Sequence, residues 1–185
     1  MNLFKSLLLT AFLILALSGC SDESSTSNPN KVYKISSIFG LKIGDKGPGL
    51  PTGYLEDNKA FDFTPDSIHK YFVSYTFSVT PNTQRIYGIK MKSDKELLTA
   101  SCKEQRIEVI NETLAALGDT SMLKINEEGN QWKIREDNQR SITINCEQTL
   151  KATTRQLVMT YTDTPLSKVS YVEWSKHQDD ITKPQ

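Results

Sequence analysis

Between Tyr71 and Val79 the chain sets Tyr71, Val73, Tyr75, Phe77 and Val79 at alternate positions, with Ser74, Thr76 and Ser78 between them. A period of two sends the large apolar groups to one side and the small polar groups to the other. That is the pattern of a strand with one buried face. Pro81-Asn82-Thr83-Gln84 follows with turn chemistry. Tyr87, Ile89 and Met91 then alternate against Gly88, Lys90 and Lys92. Residues 71–80 and 85–92 are therefore expected to form an antiparallel hairpin. A sheet with one apolar face needs a second layer to cover it.

The next segment supplies a helical spacing. Leu98, Cys102, Val109, Ile110, Leu114 and Leu117 form an approximate apolar stripe. Ser93 and Glu96 fit a capping box at its start, and Gly118 fits a C-terminal stop. Residues 93–117 predict one long helix of about 36 Å at ~1.5 Å per residue. Arg106 interrupts the stripe and is expected at its edge or in the hands of a partner.

Alternation returns at Trp132 and Ile134, at Ile142, Ile144 and Cys146, and at Leu157, Met159 and Tyr161. Residues 35–43 read as a first strand. Residues 44–53 are crowded with Gly and Pro and read as a turn-rich connection, without the Lys-Ser/Thr ending of a phosphate loop. Glu127-Glu128-Gly129 reads as a loop. Thr164-Pro165 resembles an N-cap with Pro at the first helical position. Leu166, Val169 and Val172 are spaced for a short helix, and the tail after Trp174 is polar and expected to fray. Short links between strands favour antiparallel pairing. The expected class is α+β: a mostly antiparallel sheet packed against one long helix, with room for a short C-terminal helix.

The N-terminus speaks to address. Lys5 is followed by an apolar run at residues 6–17, SLLLTAFLILAL. A membrane-spanning helix needs about 20 residues, so this run has the length of a signal-peptide core. It ends in Leu17-Ser18-Gly19-Cys20. This ending resembles the lipobox of bacterial lipoproteins. The resemblance implies cleavage before Cys20, a diacylglycerol thioether on its sulfur, and acylation of the new amino group. Two or more acyl chains anchor stably where one does not. The residue after the lipidated Cys is Ser21, with Asp22 only one place further on. By the same resemblance this favours the periplasmic face of the outer membrane over retention at the inner one. Residues 1–19 are thus expected to be a signal peptide. Residues 20–34 form a lipidated start and flexible tether, poor in large apolar groups up to Asn30. One domain spans 35–176, and 177–185 form a polar tail.

Charge excludes some partners. Bases and acids number 22 each, and residues 1–19 contain one base and no acid. A neutral domain has no electrostatic case for nucleic acid, and it has no polybasic run to hold anionic lipid. The lipid bilayer is then reached through acylated Cys20 alone.

Cys102 and Cys146 are the other two thiols. An exported chain meets an oxidising compartment, and a helix packed on the sheet could bring these two together as a structural disulfide. No CxxC or HExxH motif suggests a redox or metal pair, and no cofactor is expected. His69 and His177 read as surface residues. Asp45, Asp62, Asp66, Asp94, Glu104, Glu108 and Asp163 read mostly as solvated carboxylates. Asn111-Glu112-Thr113 fits a glycosylation sequon by chance. Tyr54, Phe61 and Phe63 are expected to cover one end of the core, and Trp132 and Trp174 to pack.

The mature region also loosely resembles small exported bacterial domains of unassigned function. The matching residues are Phe39-Gly40 with Gly44, Thr80-Pro81, the segment from Arg85 to Ile89, and Cys102. That resemblance implies no activity. The expected function is a non-catalytic protein-interaction module on an envelope anchor. It would serve as an accessory of an envelope complex, or as an inhibitor or immunity protein against a periplasmic toxin or hydrolase. The alternative is a carboxylate-dependent hydrolase facing the periplasm.

Overall fold

The computed structural model describes residues 32–55 and 59–182. The elements run β1 (Ser37–Ile38), β2 (Leu41–Lys42), β3 (Ala60–Asp62), β4 (Ser74–Val79), β5 (Ile86–Lys92), β6 (Leu97–Leu98), α1 (Thr99–Leu117), β7 (Leu123–Glu128), β8 (Gln131–Glu136), β9 (Arg140–Gln148), β10 (Thr154–Asp163) and α2 (Thr164–Thr182). The main sheet has the order β3-β4-β5-β10-β9-β8-β7, with β6 beside β10. Its pairs are antiparallel. The α+β expectation holds.

Two apolar rungs cross the sheet. One runs Tyr75, Met91, Met159, Ile144, Trp132; the next runs Phe77, Ile89, Tyr161, Ile142, Ile134. All ten residues are buried. The neighbouring rung on the opposite face is Thr76, Lys90, Thr160, Thr143, Lys133, and it is only half-buried. This amphipathic split is the period-two pattern made physical. Helix α1 covers the apolar face with Cys102, Val109 and Thr113, while Ile110, Leu114 and Leu117 pack from its flanks.

Several local expectations fail for identifiable reasons. Residues 35–43 form a small β1–β2 hairpin, turned at Phe39 and Gly40 with φ of 50° and 84°. Two positive φ values suit a tight hairpin turn, and a Cβ at Gly40 would collide with the Asp66 carboxylate. In the connection that follows, a Cβ on Gly47 would lie 2.7 Å from Phe77 Cε2, so the backbone passes against the core there.

The alternation at the start of the main hairpin breaks before β4. The amide of Phe72 donates to the His69 carbonyl at 3.1 Å. That turn swings Phe72 into the core and leaves Val73 73% exposed. Ser93 does not cap α1. Its amide donates to Leu157 O, and its hydroxyl accepts from the Leu157 amide, both at 2.9 Å. Ser93 thus joins β5 and β6 to β10. Glu96 pairs with Lys151 instead of completing a capping box. The helix begins at Thr99 with no side-chain cap, and Leu98 is exposed. Gly118 ends it as expected, its amide on Leu114 O at 3.1 Å.

Glu127 and Glu128 belong to the edge strand β7 and only Gly129 to the turn. The C-terminal helix is neither short nor frayed at residue 174. It runs nineteen residues, through the expected polar tail to Thr182. Its cap is Asp163, one place before Thr164: Asp163 Oδ1 accepts the Leu166 amide at 2.9 Å. Leu166 and Ser170 are its buried residues with Pro165, whereas Val169 and Val172 are exposed.

Candidate functional site

Cys102 and Cys146 are joined by a disulfide, with Cα atoms 6.1 Å apart. It ties α1 to β9, as the sequence suggested. Arg106 follows on α1 and sits at the edge of the stripe. It donates to Asn130 O at 2.5 Å and to Glu127 at 2.8 Å, so it clamps the helix to the β7–β8 turn. Cys20 lies outside the described residues.

A concave site opens between α1, β10 and the β1–β2 hairpin. Its volume is about 380 Å³. Phe39, Phe72, Val109, Met159 and Tyr161 supply apolar walls, and Lys34, His69 and Glu112 supply polar ones. His69 was expected on the surface. Its side chain is only 16% exposed and its Nε2 lies 2.7 Å from Glu112 Oε2. The Tyr71 amide donates to His69 Nδ1 at 3.2 Å. An Nδ1 that accepts leaves Nε2 as the donor of the neutral ring.

Next to this pair, Lys70 bridges Glu108 at 2.7 Å and Glu112 at 3.4 Å, and the Tyr71 hydroxyl donates to Glu108 at 2.6 Å. The hydrogen bond from His69, with Lys70 behind it, holds Glu112 below the ordinary carboxylate range. Lys70 and Tyr71 do the same to Glu108. Those bonds push Lys70 and Tyr71 up in turn. Both glutamates therefore stay ionised. A general acid needs the opposite shift.

The remaining carboxylates are dispersed. Asp163 is buried, Asp45 pairs loosely with Lys42, Asp94 accepts the Glu96 amide, and Asp62, Asp66 and Glu104 are exposed. Phe61 stacks on Phe77 at 5.6 Å and Phe63 meets Tyr75 edge-on at 5.9 Å, covering one end of the core as expected. Glu112 and Thr113, read as part of a chance sequon, both line the cavity. The pairing of Glu108 and Glu112 with residues 69–71 spans some forty positions and leaves only a faint trace in sequence, the spacing of the two glutamates by one helical turn.

A second feature lies on α2. Glu173 accepts from the amides of Asn82 and Thr83 and from the Thr83 hydroxyl, at 2.6, 3.3 and 3.0 Å. His177 stacks on Tyr54 with ring centroids 3.7 Å apart. These contacts hold the helix against the body. On one flank Tyr171 packs on Trp174 at 5.9 Å, and Ile181 continues the row. Tyr171 and Ile181 are each 62% exposed. Among the described residues no helix is long and apolar enough to cross a membrane. Comparison with protein-family models, with curated proteins and with solved structures finds no match.

Proposed function

We propose that the chain is a lipoprotein tethered to the cell envelope through acylated Cys20, and that its domain is a non-catalytic protein-interaction module. The anchor reading rests on Leu17-Ser18-Gly19-Cys20 after a twelve-residue apolar run. The interaction reading rests on one observation: Tyr171, Trp174 and Ile181 stand exposed or half-exposed on one flank of α2. Tyr and Trp are the residues that most often dominate binding energy at protein interfaces. Here they sit on a helix already fixed by Asp163, Glu173 and His177, so little ordering is left to be done on binding. The downward shift of Glu108 and Glu112 suits neither to the role of general acid. An accessory of an envelope complex and an inhibitor of a periplasmic toxin or hydrolase both fit this description.

The test has two arms. Cys20→Ala should move the protein from membranes to the soluble fraction. Tyr171→Lys should abolish co-purification of a partner from envelopes while leaving the melting curve unchanged. Membrane association that survives Cys20→Ala overturns the anchor. A partner that survives Tyr171→Lys, or turnover of an envelope substrate lost with a single carboxylate, overturns the interaction reading.

A further inference from the structure

The cavity beside α1 carries a hydroxyl that the fold leaves unused. Tyr161 lines the cavity and is 6% exposed. Among the described residues its hydroxyl has no hydrogen-bond partner. The hydroxyl oxygen is not sealed from solvent, so it is free to donate to a molecule in the cavity. Most of the other polar groups around the cavity are engaged within the fold, and Ser37 is exposed. Thr113 donates to Val109 O at 2.7 Å, His69 uses both ring nitrogens, and Lys34 pairs with Asp119. Tyr161 is therefore the buried polar group of the cavity that has no other hydrogen bond to give up to a guest. Burial also pushes its phenol pKa up, so it stays a donor at physiological pH.

The surrounding walls select the rest of the guest. Phe39 and Phe72 present rings that already meet His69, at 6.4 and 5.0 Å between centroids, and Met159 adds a thioether. Aromatic rings and sulfur both favour an aromatic neighbour. The volume of about 380 Å³ falls within the ~300–1,000 Å³ of small-molecule sites. It holds roughly a dozen waters at ~30 Å³ each.

We propose that this cavity binds a small aromatic molecule bearing one hydrogen-bond-accepting oxygen, a phenol or aryl carbonyl, which receives the hydrogen bond of the Tyr161 hydroxyl. The site lies apart from the α2 flank and does not depend on the partner proposed there.

The experiment titrates the folded domain with 2-naphthol and with naphthalene and follows the Met159 methyl resonance by NMR. Both should shift it, and 2-naphthol should bind about 3–10-fold more tightly, the worth of one hydrogen bond. Tyr161→Phe should remove that preference and keep naphthalene binding. Ala116→Trp, or Leu117→Trp should the first not fold, should fill the mouth and abolish both. Equal affinities in the wild type, a preference that survives Tyr161→Phe, binding that survives occlusion, or no shift with either probe would overturn the proposal.

Discussion

Arg140 Nε donates to Asp163 Oδ2 at 3.0 Å, with the two side chains 9% and 1% exposed. The same aspartate caps α2 through the Leu166 amide, and Arg140 Nη1 also donates to Ile35 O at 2.9 Å. One buried ion pair thus joins the start of the domain, the β9–β10 pair and the C-terminal helix. Removing one partner strands a buried charge, at a cost of about 3–5 kcal/mol. Asp163→Ala should lower unfolding free energy in urea by that amount. Asp163→Asn keeps an acceptor for the cap and should cost less. A loss below about 1 kcal/mol for Asp163→Ala would be that of an ordinary surface change and would contradict this account.

The Cys102–Cys146 bridge closes a separation of 44 residues. Loop-closure entropy in the unfolded chain makes such a bridge worth roughly 4 kcal/mol. Cys102→Ala with Cys146→Ala should lower the urea midpoint accordingly. Thiol labelling of the native, unreduced protein should find neither cysteine reactive, and free labelling of both would dismiss the bridge.

Phe72 and Val73 offer an inverted pair. Alternation in the sequence puts Val73 in the core and Phe72 outside, whereas the His69 turn places them the other way. Phe72→Ala should cost about 3–5 kcal/mol, and Val73→Ala should stay within about 0.5 kcal/mol. Equal losses in thermal or urea unfolding would mean that the turn is misplaced.

Acid should weaken the Glu108 and Glu112 network. Both carboxyls are depressed in the folded state, so the folded protein binds these protons less tightly than the unfolded chain. The contribution is complete above the ordinary Glu pKa of about 4.3 and is lost as pH falls through the lowered values. Between pH ~5 and ~3 the wild-type Tm should drop more steeply than that of Glu108→Gln with Glu112→Gln. The two side chains are half-exposed, so the difference should be small and should shrink in about 1 M salt. Identical pH slopes would remove the network from the stability account.

The sheet and α1 were legible because Tyr75, Phe77, Ile89, Ile142 and Met159 keep strict alternation and Cys102, Val109 and Leu117 keep a helical stripe. Strand β7 was not. It is an edge strand in which Leu123 and Ile125 are weakly apolar signals, and Ile125 remains 41% exposed. Ser93 misled for a different reason. Its local sequence suits a helix cap, yet β10 competes for the same hydroxyl and wins. The cavity was invisible because its walls come from four distant segments. No local period encodes that His69 meets Glu112.

The chain enters the fold through a side-chain clamp. Glu136 accepts the Lys34 and Ile35 amides at 3.0 and 2.9 Å, and Arg140 holds the Ile35 carbonyl. Tension applied at Val32 is therefore borne first by side-chain contacts, those of Tyr33 with Gln139 and Arg140 and of Lys34 with Asp119 included, ahead of any backbone ladder. Beyond that clamp lies β1, whose Ser37 and Ile38 wall the cavity. The anchoring of the N-terminal segment and the shape of one cavity wall thus share the same few side-chain contacts.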